Sequence, residues 1–548
     1  MIDLLTLLIF YLILIFSIIG YGKLFLVFIK SEHNIGYQGL IGILFLIIIS
    51  YITNFFSLHN YIHNTIVIAV GFINFIISLK NNFKNSAKDL KVVLLIFGIL
   101  FIGLLMYKNH DDFFTYHFPY SLSLVNFVKI IGIGHITSGF TTPSSIFYLN
   151  SLFYLPFIEY YLMNSGAIFI MGFSNIIFYN YIKNNIKKNN FLLFLSLFSL
   201  IFVNTVFSRM AEHGTDRSAL ILVFVLALVF LESINLNKKF INSKNIVINF
   251  EKIALLITLI ISLKSFYLIY ISFIFLWFYY FKNKLLNKDI VFKILNNRFF
   301  YFSFIGIVLF ILTVFLNTGC MVFPASFTCY EAVEWSFNKD LVKSYKAWFE
   351  QWSKAGATPN FRVENPELYI SYFNWLPGWI DRYFFTKVSD FLLVILLIIL
   401  IFIFMFSYKK KKLAKGKIKY KLFYFFILIL FVEWFINHPA LRYGGFTVIA
   451  LLFFIPISLY LSNFKNEIVY LKRSVDILII LTFIIFTSKN IVRINDEYSK
   501  YGYNIFLSAY YYLDKSAFRR DIQIKKIFEE NKNLSSNRYL IIKNKIGQ

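Results

Sequence analysis

Phe391-Leu392-Leu393-Val394-Ile395-Leu396-Leu397-Ile398-Ile399-Leu400-Ile401-Phe402-Ile403-Phe404-Met405-Phe406 runs for sixteen residues without a polar side chain. The stretch Tyr408–Lys421 follows at once, with eight Lys and no acid. A membrane-spanning helix needs about 20 mostly apolar residues, and cytoplasmic loops are enriched in Lys and Arg. The pair therefore reads as a span that ends on the cytoplasmic side.

The same alternation recurs along all 548 residues. Apolar segments lie near 3–29, 36–56, 62–79, 91–107, 165–182, 191–207, 217–233, 299–316, 388–407, 421–436, 444–461 and 474–488. A longer stretch, 253–281, is interrupted at Lys264 and Ser265 and reads as two short helices joined by a tight external turn. The expected fold is an all-α polytopic membrane protein of about 14 spans, within a range of 11–14. Composition agrees: 59% of residues are hydrophobic, 21% aromatic and 15% charged, and mean hydropathy is +0.68. A soluble enzyme, a disordered chain and a disulfide scaffold are excluded.

The net charge of +26 sits in short runs between apolar segments, so it reads as topogenic and nucleic acid is not an expected partner. With Lys80–Lys91, Lys183–Asn190, Lys238–Lys252, Lys282–Arg298 and Tyr408–Lys421 inside, residues 108–164, 208–216, 317–387 and 437–443 fall outside. The stretch 145–163, which holds Pro156 and Glu159, reads as an amphipathic helix lying on the external interface. The tail 489–548 carries 12 basic and 6 acidic residues, and the alternation places it outside. Three regions are expected: N-terminal helices over 1–90, a core over 91–488, and the tail.

The external face collects the unusual chemistry. His110-Asp111-Asp112-Phe113-Phe114-Thr115-Tyr116-His117 leaves a membrane helix with two carboxylates and two imidazoles. One reading is a helix cap in a solvated loop. The other is a general base or a metal-binding carboxylate, Asp111 or Asp112. Ser208–Arg217 holds Arg209, Glu212, His213, Asp216 and Arg217; Gly214 and one cap explain only part of it. Lys264 interrupts apolar sequence with no adjacent acid, and a phosphate is the partner its charge calls for, unless it snorkels to headgroups. Arg442, in the turn His438-Pro439-Ala440-Leu441-Arg442-Tyr443, can hold phosphate oxygens bidentately or meet lipid headgroups. The loop 317–387 holds five of seven Trp, which either stack on sugars or form an interfacial belt. It also holds both cysteines, Cys320 and Cys329, and a disulfide is open to them if the compartment oxidises. No regular metal spacing is present, so a cofactor stays undetermined, with a divalent metal compatible.

The pattern Asp-Asp-x-x-x-Tyr-His-x-Pro over Asp111–Pro119 resembles the GT-C superfamily of multi-spanning glycosyltransferases, whose relatives include protein O-mannosyltransferases and the lipid A aminoarabinose transferase. It looks most like a group of uncharacterised bacterial members. Ile261-Ser262-Leu263-Lys264-Ser265 resembles the Leu-x-Lys turn of those enzymes, and Pro439 to Tyr443 resembles their Arg-bearing turn. The resemblance implies a GT-C-like bundle in the cell (inner) membrane with its active face periplasmic or extracellular. It implies a polyprenyl-phosphate-linked sugar donor, a glycan, lipid or protein acceptor, and Asp111 or Asp112 as the inverting base. Lys264, Arg442, Arg217, His438 and Tyr443 would hold the lipid phosphate. His110, Tyr116, His117, Glu212, His213 and Asp216 would orient the acceptor. Three extra spans before the Asp-Asp loop depart from the best-known members. The rival readings are a flippase or transporter of lipid-linked saccharide and an O-antigen-type polymerase or ligase.

Overall fold

The computed structural model describes residues 1–81, 83–188, 190–235, 243–285, 288–358, 361–407, 420–464, 467–531 and 540–542. Most of the basic run 408–421, and parts of the other basic loops, lie outside the described residues. Among the described residues the fold is helical, with three isolated β-bridges and no strand. This is what lipid demands: a helix satisfies its backbone groups within one segment.

Nine helices among the described residues are long and apolar enough to cross a membrane: Ile2–Ile29, Ile35–Thr53, Tyr61–Asn81, Gly214–Ile234, Lys244–Leu263, Ser265–Lys282, Arg298–Thr318, Leu376–Phe406 and Ile468–Tyr501. Phe191–Val206 and Gly445–Leu461 are apolar but shorter. Phe83–Phe101, Gly166–Asn185 and Lys421–Asn437 occupy the remaining expected segments.

Local chemistry sets the helix ends. Asn34, Asn190 and Asn297 each accept backbone N–H bonds at an N-cap. Gly319 closes Arg298–Thr318 with φ 75°, a left-handed conformation that costs glycine nothing. Two sequence expectations are corrected. The fourth segment ends at Phe101 rather than 107, because residues 102–104 form turns. The stretch 145–163 is no interfacial helix. It is a short buried helix, Ser145–Ser151, followed by turns in which Phe157 and Glu159 take positive φ. Its apolar residues Phe147, Leu149, Phe153, Leu155, Ile158 and Leu162 are buried in protein, not lipid.

Residues 1–90 are packed into the core. Ile2–Ile29 lies so close to its neighbours that a Cβ on Gly20 would sit 1.9 Å from the Gly71 carbonyl oxygen, and one on Gly42 1.8 Å from that of Ile18. Small residues let helix backbones approach in this way within a membrane. Ile35–Thr53 in turn packs on Gly166–Asn185 through Gly36 and Gly39.

The connections form two sets. At one end Glu251 joins residues 31–33 and 297, and Arg298 donates to the Phe28 carbonyl. At the other end the tail folds back over residues 107–161. Tyr512 N–H donates to the Tyr107 carbonyl, the Tyr511 hydroxyl to that of Tyr160, and Asn126 to Asp521 at 2.8 Å. The tail thus shares a face with the Asp-Asp loop. The 34 residues of Ile468–Tyr501 extend about 51 Å at 1.5 Å per residue, well beyond a hydrocarbon core of about 30 Å.

Candidate functional site

Four charged side chains from four separate segments form one chain of contacts. Lys264 Nζ lies 2.6 Å from Asp216 Oδ1. Arg442 Nε lies 2.9 Å from Asp216 Oδ2, and its Nη2 lies 3.3 Å from Asp112 Oδ2. Each is placed by a local break. Lys264 ends Ser243–Leu263 with extended backbone before the 3-10 turn Ser265–Ile271. Gly214 (φ 4°, ψ −69°) kinks Met210–Asn235, so Glu212 and Asp216 find different partners. Arg442 sits in the short 3-10 turn Leu441–Tyr443 before Gly444. That turn is pinned from the loop 317–387: Ser353 Oγ accepts from Ala440 N–H, Tyr383 Oη accepts from Leu441 N–H, and Trp379 donates to the Pro439 carbonyl.

Three members of the chain, Asp112, Arg442 and Lys264, floor a cavity of about 610 Å³, with Asp216 beneath them. Asp112, Tyr116, Lys264, His438, Arg442 and Tyr443 line it, together with the loop 322–327 and the helix Lys339–Lys354. Cys320 and Cys329 are joined by a disulfide that closes the loop carrying residues 322–327. Trp348 and Trp352 face the cavity, and Arg442 lies 5.6 Å from the Trp352 ring. The other three Trp of this loop serve structure: Trp375 and Trp379 are buried, and Trp335 donates to the Phe315 carbonyl.

The two adjacent carboxylates part company. Asp111 is 82% exposed and meets Lys108 at 3.3 Å. Asp112 is 30% exposed and lines the cavity. Burial alone would raise the Asp112 carboxyl, but the Arg442 guanidinium together with His117 and His110 outweighs it and holds Asp112 below the usual carboxylate range. Arg442 stays charged, its burial outweighed by Asp216 and its other neighbours. His117 is buried beside them, and burial pushes its pKa down to about 3 against the upward pull of Asp112. Among the described residues its Nε2 finds no hydrogen-bond partner. His110 Nδ1 accepts from Asp112 N–H at 3.1 Å. His438 packs edge-on to Phe266 and is pushed down to about 4 by burial and by Lys354, Lys346 and Lys264.

Other expected site residues lie apart from the large cavity. Glu212 is held by Arg209 at 2.6 Å and Arg493 at 3.3 Å. Arg217 packs over the Phe207 ring. Both border a smaller cavity of about 150 Å³ that reaches Asp112 and Arg442 from behind. The side chain of His213 lies outside the described residues. Lys264 is not the unpaired cation of its sequence context, since Asp216 supplies the missing acid 48 residues away. Sequence reasoning missed Arg493, Lys346 and Arg520; the last two line the large cavity. None of them stands in a motif that marks a site. Only the fold brings them to the site.

The model of a family described as a domain of unknown function, DUF8201, matches residues 4–449. The chain belongs to that family. The match takes in all four members of the charge chain. No curated protein and no solved structure matches. Among the described residues no group of three or more His, Cys, Asp or Glu is arranged to hold a metal ion.

Proposed function

We propose that this family member is a membrane glycosyltransferase that moves a sugar from a polyprenyl phosphate or diphosphate to an acceptor on the external face. One observation carries the reading. An ionised carboxylate, Asp112, and two cations, Arg442 and Lys264, meet at the floor of an aromatic-walled cavity large enough for a sugar. The fourteen helical segments give fourteen crossings. On a count of fourteen crossings the described parts of the Lys-rich loops lie on the face opposite the cavity, and by the positive-inside rule that supports an external cavity face.

In this reading the donor phosphate enters between Arg442 and Lys264. Asp112, whose Arg442 contact is the longest of the chain, becomes free to accept a hydrogen bond from the acceptor hydroxyl. The hydroxyl oxygen attacks the anomeric carbon from the face opposite the phosphate, and its proton passes to Asp112. The bond between the anomeric carbon and the phosphate oxygen breaks. Its electrons stay on the lipid phosphate, where Arg442 and Lys264 stabilise the developing charge. The outcome is inversion. Tyr116, Trp348 and Trp352 offer ring faces to the sugars. A transporter is expected to hold its charged site at the bilayer midplane. Here the charges gather at helix ends and breaks on one face, which favours surface chemistry.

The test is release of lipid phosphate in proteoliposomes supplied with short-chain polyprenyl-phosphate sugars and a mixed acceptor pool. Wild type and Asp111→Asn release it, and Asp112→Asn does not. Equal release by Asp112→Asn, with normal insertion, sinks the base assignment. Movement of labelled lipid-linked sugar across the bilayer without any release replaces the enzyme by a transporter.

A further inference from the structure

The inner clamp carries no net charge. Arg442 and Lys264 are matched by Asp112 and Asp216, all within 3.3 Å. An anion that displaced nothing would meet a neutral floor. The cavity nevertheless has two further cations on its walls, Lys346 and Arg520. Four cations against two carboxylates leave two positive charges in excess. Among the described residues neither Lys346 nor Arg520 forms an ion pair; Arg520 only donates to Gln523 Oε1.

The fold sets the backbone position of both. Lys346, Phe349 and Trp352 recur at three-residue spacing on Lys339–Lys354, and all three line the cavity, so one helix face turns inward. Arg520 stands at the start of Arg519–Asn531. That helix is anchored by Asp521, which accepts from Asn126 at 2.8 Å, and by Phe518 against Phe118. Lys346, Lys264 and His438 all line the cavity, which places the wall cation and the floor cation around one space.

We propose that Lys346 and Arg520 receive a second phosphoryl group, so that the site prefers a lipid diphosphate to a lipid monophosphate. A concave wall with unmatched positive charge gathers anions, and phosphate oxygens are what Arg and Lys hold best. The inference rests on the glycosyltransferase reading and narrows its donor. A second phosphoryl group also has another source, an anionic acceptor beside a monophosphate donor.

The experiment is equilibrium binding of labelled short-chain polyprenyl monophosphate and diphosphate to the full chain in nanodiscs, each with and without inorganic phosphate. Wild type is expected to bind the diphosphate at least about tenfold more tightly than the monophosphate. The Lys346→Ala/Arg520→Ala double variant is expected to lose that preference, with monophosphate affinity falling less than about threefold; Lys346→Arg keeps it. Retained monophosphate binding also shows that the double variant is folded. Equal binding of both lipids by wild type, or a preference that survives the double substitution, overturns the inference and leaves the enzyme reading standing. If inorganic phosphate tightens monophosphate binding in wild type alone, the two residues hold an acceptor's phosphate. If neither lipid binds, the glycosyltransferase reading itself falls.

Discussion

Glu251 and Asp112 are carboxylates near opposite ends of the helix bundle, each beside an imidazole, and they are held in opposite ways. Three donors converge on Glu251: Ser31 Oγ at 2.7 Å, His33 Nε2 at 2.9 Å and Asn297 Nδ2 at 2.7 Å. Its side chain is 5% exposed. Asp112 has one cation at 3.3 Å, an imidazole contact at 3.6 Å, and open cavity beside it. A saturated buried carboxylate fastens loops. One left partly satisfied at the edge of a cavity keeps capacity for a ligand. The difference lies in the number of donors, not in residue type.

The largest expected effect comes from Arg442, which belongs to both kinds of contact. Arg442→Gln removes the cation from Asp112 and leaves the buried Asp216 with Lys264 alone. Transfer is expected to fall at least about 10³-fold. Stability is expected to fall as well, because a buried charge loses a partner. Thermal unfolding in detergent beside the transfer assay separates the two losses; an active Arg442→Gln would break the comparison.

The next pair sharpens it. Asp112→Asn is nearly isosteric and is expected to cut transfer about 10²–10³-fold with little change in unfolding temperature. Asp111→Asn, one residue away and exposed, is expected to stay within about twofold. Glu251→Gln is expected to do the reverse of Asp112→Asn. It costs about 1–3 kcal/mol of stability through lost charged hydrogen bonds, while activity per folded molecule is unchanged. Loss of activity without loss of stability in Glu251→Gln would show that the two ends of the bundle are coupled.

Much of this was legible in the sequence, and what was not shares one cause. Apolar runs and their interruptions are local, so the helical segments, the break at Lys264 and the turn at Arg442 could be read directly. The charged motifs also pointed to one face. Pairings were not legible, because they join residues far apart: Asp216 to Arg442 across 226 positions, Asp112 to Arg442 across 330, Glu212 to Arg493 across 281. For the same reason Lys264 read as an unpaired cation and Glu212 as a free acceptor ligand. The error over 145–163 had a different origin. Apolar sequence between two external loops looks the same whether lipid or protein covers it, and here the tail and the neighbouring helices cover it.

The smallest expected effect concerns His117. Its folded pKa of about 3 lies below the ordinary value of 6.5 because burial disfavours the charged ring. The unfolded chain therefore binds a proton at higher pH than the folded protein does. The stability that His117 contributes by staying neutral is complete above about pH 6.5 and is lost progressively as pH falls toward 3. His117→Gln removes that proton uptake. Its unfolding temperature is expected to fall less steeply than that of wild type between about pH 6.5 and 4. The slope will not vanish, since the buried His59 is depressed to about 3 in the same way. Unfolding scans in detergent at half-unit steps read the difference. Parallel curves for the two proteins would mean that His117 titrates normally, and the dry wall behind Asp112 would then be open to water.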